Sequence, residues 1–251
     1  MKDRFPLITA HSGSMNTFDH TVHSVQMALQ NGADVVEEDI RVTRDGVPVL
    51  AHDDEWLTTE GEHISLSQLT YGELKELRFE VTQGEQRKTI QLCKLEDMLP
   101  LIQASGKKVN LDLKVDESIE PTTALVKKYG LLDYAYLSGC EADRALLAQK
   151  LNPEMRRLLN TNHNLFRTLP YRDALVQTCE EARAASCFGI NFHYSIVNEE
   201  LMDYTASLEL PVYVWTVNEE ELMRKYANLG VASITTRNLA ALVQLKSSWG
   251  L

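Results

Sequence analysis

Short apolar runs alternate with longer amphipathic segments along most of the chain. The short runs are rich in Val, Ile, Leu and Tyr, which favour strands, whereas the longer segments have the spacing typical of helices. The predicted strands are Phe5–His11, Asp34–Val42, Val47–His52, Lys108–Lys114, Tyr134–Ser138, Arg156–Leu159, Phe188–Phe192, Val212–Val217 and Ala232–Thr235. The predicted helices are Val22–Gln30, Tyr71–Leu77, Leu95–Gln103, Pro121–Lys128, Glu141–Leu151, Tyr171–Ala184, Glu199–Ser207, Glu219–Asn228 and Leu239–Ser247. Strand followed by helix, repeated about eight times over this length, predicts a (β/α)8 TIM barrel in the α/β class.

The main alternative for such a pattern is a doubly wound open sheet. That fold usually carries a glycine-rich phosphate fingerprint after its first strand, and the chain has none there. Because no Pro/Gly/Ser-rich linker divides the sequence, we expect residues 1–251 to form a single TIM-barrel domain. The polar segment from about residue 53 to residue 91 is longer than an ordinary βα connection. It predicts a small insertion at one barrel mouth after the second strand region, with Thr82–Lys88 as a surface loop.

Composition narrows the possible partners. The chain has 36 acidic and 25 basic residues, a net charge of −11, which argues against general nucleic-acid binding and docking on anionic membranes. No stretch approaches the roughly 18 apolar residues of a spanning helix, and the N-terminus lacks a signal-peptide pattern. The four cysteines form no CxxC motif and are expected to be reduced thiols of a cytoplasmic protein. The acidity itself is explained either by solubility or by a carboxylate cluster that needs a cation.

Chemically active side chains occur where predicted strands end, which is where TIM barrels place their active sites. They are His11, Glu37, Asp39, His52, Asp112 and Lys114. Alternate side chains of a strand share a face, so Glu37 and Asp39 point the same way and Glu38 points oppositely. Carboxylates brought together repel one another unless a cation neutralises them, and hard divalent ions such as Mg²⁺ or Ca²⁺ prefer carboxylate oxygens.

Two histidines and one lysine complete this predicted site. Imidazoles exchange protons near neutral pH, and the Lys114 ammonium suits an anionic group of a small-molecule substrate. A cation with an acid/base pair is typical of phosphoryl chemistry, where positioning and charge stabilisation dominate. The alternatives without a functional role are that Glu37 and Asp39 pair with basic side chains instead of a metal ion, and that Asp112 and Lys114 form a simple salt bridge.

An ordered set of motifs over nearly the whole chain resembles the glycerophosphodiester phosphodiesterases. The family pattern of His-Arg-Gly, Glu-Asn-Thr, Gly-Ala-Asp, Glu-x-Asp, a strand-turn-strand ending in His-Asp, and Asn-Ile-Glu-Ile-Lys has counterparts here. They are His11-Ser12-Gly13, Asp19-His20-Thr21, Gly32-Ala33-Asp34, Glu37-Glu38-Asp39, residues 43–53 and Asn110–Lys114, with Val214–Asn218 and Gly230-Val231 matching later in the chain.

The resemblance implies a TIM-barrel enzyme that hydrolyses a glycerophosphodiester to glycerol phosphate and an alcohol. It also implies that the substrate's own neighbouring hydroxyl attacks the phosphorus and that the reaction passes through a cyclic phosphate. Carried over by motif, the metal ligands are Glu37, Asp39 and Asp112, the catalytic pair is His11 and His52, and the substrate-binding residues are Lys114, Ser12 and Trp215. The same machinery acting on a sugar or other phosphodiester, and a barrel that binds a phosphorylated ligand without turnover, remain as alternatives.

The chain departs from the family pattern at several positions. Ser12 replaces an arginine that the resemblance implies would grip the phosphate, and a hydroxyl offers one neutral hydrogen bond instead of a charged fork. Glu38 replaces an apolar residue and puts a charge where a helix should pack. Arg237 replaces an aspartate after Thr236. No function is predicted for His20, which stands in the second motif, or for the remaining histidines.

Overall fold

Eight parallel strands enclose a barrel in the computed structural model, which describes residues 4–83 and 85–249. The strands of the described residues are, in chain order, β1 (Leu7–Ala10), β2 (Val35–Val42), β3 (Pro48–Leu50), β4 (Glu55–Leu57), β5 (His63–Ser65), β6 (Phe79–Gln83), β7 (Gln86–Ile90), β8 (Lys108–Leu113), β9 (Ala135–Ser138), β10 (Leu159–Asn160), β11 (Ile190–His193), β12 (Val212–Trp215) and β13 (Ser233–Thr236). The barrel order is β10-β11-β12-β13-β1-β2-β8-β9, and a parallel bridge between Leu137 and Arg157 brings β9 to β10. The predicted (β/α)8 TIM barrel is therefore confirmed.

Helices connect the barrel strands and cover their outer side. Those of the described residues are α1 (Val22–Gln30), α2 (Tyr71–Leu74), α3 (Leu95–Ser105), α4 (Ile119–Lys128), α5 (Ala142–Leu151), α6 (His163–Thr168), α7 (Tyr171–Ala184), α8 (Glu199–Ser207), α9 (Glu220–Leu229) and α10 (Leu239–Ser247). The main apolar core lies between strands and helices, with Ile8, Leu111 and Phe192 fully buried. Across residues 4–83 and 85–249, no helix combines the length and apolarity needed to cross a membrane.

The register of two neighbouring strands sets the geometry of the site. Glu37 on β2 pairs with Asn110 on β8, and Asp39 pairs with Asp112 two positions further along both strands. Parallel neighbours in register present these side chains at matching heights. Polar groups that are about 70 residues apart in sequence thus lie side by side near the carboxyl ends of the strands.

The predicted strand Val47–His52 does not belong to the barrel. Its central part, β3, pairs antiparallel with the end of β2 through a turn at residues 43–47, so the barrel needs only eight of the nine predicted runs. The turn is too short for the crossover that a parallel neighbour requires, which forces the antiparallel pairing.

The segment between β3 and α3 forms two small antiparallel hairpins, β4–β5 and β6–β7, and the short helix α2. They cover an apolar cluster that includes Val49, Leu66, Leu74 and Phe79. Thr82–Lys88 was expected to be a loop; except for Gly84, which lies outside the described residues, this segment is largely strand, with Thr82 paired to Arg87. The sequence shows no apolar strand pattern here, because among the described residues of the hairpin only its ends, at Phe79 and Ile90, are buried.

Asp34 ties three elements together at the amino end of the barrel. Its carboxylate accepts hydrogen bonds from the Ile8 backbone N–H at 3.1 Å and from Lys246 Nζ at 2.8 Å, and Lys107 Nζ lies 3.7 Å away. Burial alone would raise the pKa of Asp34, but the bonds from Lys246 and Ile8 lower it below the usual 3.8.

We expect Asp34→Asn to lower the free energy of unfolding at neutral pH by about 1 kcal/mol, since solvent screens these partly exposed ion pairs. A lowered carboxyl pKa contributes stability above the unfolded value, and this contribution is lost as pH falls through the folded value. The difference between variant and wild type should therefore shrink below pH 3.8 in urea titrations. A difference that stays constant from pH 7 to the acid end would contradict the assigned ion pairs.

Candidate functional site

A cavity of about 430 Å³ opens at the carboxyl ends of the barrel strands. This volume suits a small molecule and not a polymer or a folded partner. Seven of the eight residues predicted from the sequence as site residues line it: His11, Glu37, Asp39, His52, Asp112, Lys114 and Trp215. The eighth, Ser12, is not among the lining residues.

Three carboxylates converge on one side of the cavity. Among the described residues, Glu37, Asp39 and Asp112 form a group whose oxygens lie within 4.8 Å of one another. Glu37 and Asp39 are buried. Burial, followed by repulsion from Asp39 and Asp112, raises the pKa of Glu37 well above its usual 4.5. The cluster is therefore electrostatically unfavourable as long as only protein groups surround it.

Lys114 partly neutralises this cluster. Its Nζ lies 2.6 Å from Asp39 Oδ1 and 3.2 Å from Asp112 Oδ1. Burial raises the pKa of Asp39, but Lys114 and His20 together lower it by more, so the net shift is downward. For Asp112 the balance is the opposite, and burial leaves its pKa raised despite Lys114. The single Lys114 ammonium does not balance the charge of three carboxylates, so a second positive charge would stabilise the cluster.

The donor set fits a hard divalent cation. All three candidate ligands are carboxylate oxygens, and the buried Glu37 Oε2 has no hydrogen-bond partner among the residues that the structure describes. An orphaned buried oxygen of this kind is costly unless a cation or a water molecule binds it.

The two predicted catalytic histidines differ in their surroundings. The His11 side chain is 22% exposed, and burial, followed by the positive charge of Arg237, lowers its pKa from the usual 6.5. Its Nδ1–H donates to the Ser12 carbonyl at 3.0 Å, which leaves Nε2 as the basic nitrogen of the neutral ring. The His52 side chain is 62% exposed, and its Nδ1–H donates to Asp53 Oδ1 at 2.8 Å.

The opposite wall of the cavity is rich in neutral polar groups. Across the barrel from the carboxylates, the ends of β10, β11 and β12 contribute Asn160, Asn162, His163, Asn191 and Trp215. Trp215 packs edge-on against His193, with ring centroids 5.4 Å apart, and its buried Nε1–H has no acceptor. Of this wall, only Trp215 is predicted from the sequence. The polar run Asn160–Asn164, which follows a short strand, is the sequence pattern that could have indicated Asn160, Asn162 and His163.

Ser12 faces away from the cavity. Its hydroxyl donates to Glu38 Oε2 at 2.8 Å and accepts from the His20 backbone N–H at 2.8 Å. Two residues that the sequence analysis left without a role also lie beside the site. The His20 imidazole lies between the carboxylates of Glu38 and Asp39. The Arg237 guanidinium makes a bidentate ion pair with Asp19, with N–O distances of 2.7 and 3.2 Å. The charge at position 38 is thus compensated within the protein instead of opposing helix packing.

Gly139 allows the backbone after β9 to pass directly beside Asp112. Its φ is +68°, and a Cβ built there would lie 2.1 Å from Asp112 Oδ1 and 2.3 Å from the Leu113 carbonyl oxygen. Both the backbone conformation and the lack of space exclude a side chain.

We expect Gly139→Ala to destabilise the protein by about 1–3 kcal/mol, because it adds backbone strain and displaces Asp112. Chemical denaturation measures the loss, and Gly61→Ala is the matched control, since that glycine also has a positive φ but open space around it. Equal losses in the two variants would show that strain alone, without the contact to Asp112, accounts for the effect.

Comparisons with known proteins agree with this geometry. Residues 9–240 match the model of the glycerophosphoryl diester phosphodiesterase family. A glycerophosphodiester phosphodiesterase from Caldanaerobacter subterraneus subsp. tengcongensis is 24% identical over 246 residues, 97% of this chain and 99% of the relative.

Solved structures show the same fold. A phosphodiesterase from Oleispira antarctica, in complex with the product sn-glycerol-3-phosphate, has a TM-score of 0.81 at 24% identity and covers 97% of this chain and 98% of its own. A glycerophosphodiester phosphodiesterase from Thermotoga maritima has a TM-score of 0.76 at 18% identity, with coverage of 96% and 99%.

Proposed function

The chain belongs to the glycerophosphoryl diester phosphodiesterase family, and from this premise we propose that it cleaves a glycerophosphodiester to glycerol phosphate and an alcohol with one divalent cation. The observation that carries the proposal is the trio of Glu37, Asp39 and Asp112 facing a cavity that is also lined by His11, His52 and Lys114. Acidic ligands, a proton donor and a proton acceptor in one small cavity are what phosphodiester hydrolysis needs.

Glu37, Asp39 and Asp112 would hold the cation, either Mg²⁺ or Ca²⁺. Such an ion neutralises phosphate charge and thereby supplies electrostatic stabilisation. Lys114, now bound to Asp39 and Asp112, would add a positive charge toward the phosphate. In this way an acidic protein accepts one small anion without attracting polyanions.

His11 is proposed as the base because its ring is the more buried of the two and its Nε2 lone pair is free. The substrate hydroxyl next to the phosphate would attack phosphorus while its proton passes to His11. His52, oriented through Nδ1 by Asp53, would give its proton to the departing alcohol oxygen as the P–O bond breaks. Water would then open the cyclic phosphate, with the two proton transfers reversed.

The test is to incubate the purified protein with a glycerophosphodiester and to follow the products by phosphorus NMR. We expect glycerol phosphate to appear, to stop with a chelator, and to resume when Mg²⁺ or Ca²⁺ is added back. Turnover that is unaffected by chelation would overturn the metal-dependent mechanism. Ligand binding without product over a long incubation would favour the non-catalytic barrel.

The amide-rich wall favours substrates whose alcohol portion carries further hydroxyl groups. Sugar phosphodiesters are among these substrates. Asn160, Asn162 and Asn191 each carry an amide that can hydrogen-bond to a hydroxyl group, whereas the quaternary ammonium of choline neither donates nor accepts a hydrogen bond. We therefore expect glycerol or sugar esters to be cleaved with a kcat/KM about fivefold above that of the choline ester, since one net hydrogen bond contributes about 1 kcal/mol.

A competition assay with the two classes of ester measures this preference. Asn191→Leu should reduce it, and the exposed Asn228→Leu on α9 serves as the control. A choline ester cleaved as well as the hydroxylated esters would contradict the assignment of this wall.

A further inference from the structure

Three departures from the family pattern lie in contact with one another. Ser12 replaces the arginine, His20 replaces an asparagine and Glu38 replaces an apolar residue. Ser12 and His20 lie in the loop between β1 and α1, and Glu38 lies on β2. The Ser12 hydroxyl donates to Glu38 Oε2 at 2.8 Å, and His20 Nδ1 lies 3.4 Å from the same oxygen. The His20 backbone N–H closes the triangle by donating to Ser12 Oγ at 2.8 Å.

This triangle reaches the candidate metal site through Asp39. His20 Nε2 lies 3.7 Å from Asp39 Oδ2, while Lys114 is bound to the other oxygen, Oδ1. The contacts are shielded from solvent, because the side chains of His20, Glu38 and Asp39 are 12%, 1% and 5% exposed. Asp39 is therefore held on both oxygens, by one basic group from the barrel and one from the loop.

The loop that carries His20 has an uncommon backbone conformation at this residue. His20 has a φ of +58°, in the left-handed region that few residues other than glycine, asparagine, aspartate and histidine adopt. Among the described residues, none of the three members of the triangle lines the cavity. They touch neither a substrate nor an ion placed there, so any effect must pass through Asp39.

We propose that Ser12, His20 and Glu38 act as one unit that positions Asp39 for the divalent cation. The inference rests on the proposed function, in which Asp39 is a metal ligand. Groups that hydrogen-bond to a ligand fix its orientation and tune the affinity of the site. His20 is thus a positioning residue.

The three members depend on one another. Glu38 is buried, and removing His20 or Ser12 takes away one of the two side chains that compensate its carboxylate, which is costly in a protein interior. An arginine placed at position 12 alone would bring a long cation into a triangle that is already closed. Reverting one member should therefore be worse than reverting all three together.

The decisive measurement is isothermal titration of the metal-free protein with Ca²⁺ or Mg²⁺ in the absence of substrate. We expect His20→Asn to raise Kd at least about tenfold, in line with the usual effect of groups behind metal ligands. His23→Asn, at an exposed position in α1, is the matched control and should leave Kd unchanged. An unchanged Kd in folded His20→Asn protein would overturn the proposal.

Two further variants keep the test decisive if His20→Asn fails to fold. Ser12→Ala removes only the hydroxyl of the triangle and should also raise Kd, so an unchanged value there overturns the proposal as well. The triple variant Ser12→Arg, His20→Asn, Glu38→Val should bind the ion more tightly than Ser12→Arg alone; a weaker or equal affinity counts against a coupled unit.

Failure of this inference is distinguishable from failure of the proposed function. Wild-type protein that binds the ion and cleaves the diester, together with unaffected variants, would reject the positioning role alone. Wild-type protein that binds neither Ca²⁺ nor Mg²⁺ would reject the metal-dependent function itself.

Discussion

Glu37→Gln is expected to lower kcat/KM for a glycerophosphodiester about 10³-fold, since a lost metal ligand costs several kcal/mol of transition-state stabilisation. The same change should raise the melting temperature of the metal-free protein. Burial and the neighbouring Asp39 and Asp112 raise the pKa of Glu37, so the ionised form opposes folding. A neutral amide of the same shape removes that opposition.

The pH dependence of this gain has a definite sign. A carboxyl whose pKa is raised in the folded state loses stability as pH rises above its unfolded value, here near 4.5. The stabilisation by Glu37→Gln should therefore be absent in acid and grow above this pH, as thermal melts in chelator would measure. Glu55→Gln, an exposed position in the insertion, is the control for activity and stability. A variant that is less stable at pH 7 without metal would show that Glu37 is well compensated by the protein.

His52→Gln is expected to lower kcat about 10²–10⁴-fold, the usual contribution of a general acid or base. Its effect on the affinity for Ca²⁺ or Mg²⁺ should be small, because His52 is not part of the carboxylate trio. If His52 protonates the departing alcohol, the loss should shrink for an ester of p-nitrophenol, which leaves readily without a proton.

The control for this prediction is His63→Gln, at an exposed position of the insertion. Asp53→Asn should give a smaller loss of kcat than His52→Gln, since it removes only the partner that orients Nδ1. An equal loss with good and poor leaving groups would assign His52 a role other than the acid.

Much of the site follows from local sequence pattern. Side chains alternate along a strand whatever the rest of the chain does, so Glu37 and Asp39 had to share one face and Glu38 the other. Barrel strands end at a common mouth, so His11, Asp112 and Trp215 could be assigned to it once the eight repeats were recognised. The structure places all of these residues except Glu38 around one cavity.

Contacts between distant segments were not accessible in this way. Ser12 was expected to face the substrate, but its hydroxyl is bound to Glu38, which lies 26 positions away. Glu38 looked unfavourable against a helix because the sequence gives no sign that His20 would neutralise it. The hairpin formed by β6 and β7 was concealed for a related reason, since polar residues form strands when a partner strand is present.

The net charge of −11 and the order of strands and helices belong to the sequence alone, because composition and periodicity are properties of neighbouring residues. They determined the barrel, the mouth that carries the chemistry and the residue types gathered there. Only the tertiary structure decided which charges compensate one another: Lys114 with Asp39 and Asp112, His20 with Glu38, and Arg237 with Asp19. Electrostatic energies depend on distances of a few ångströms and on burial, and folding sets both.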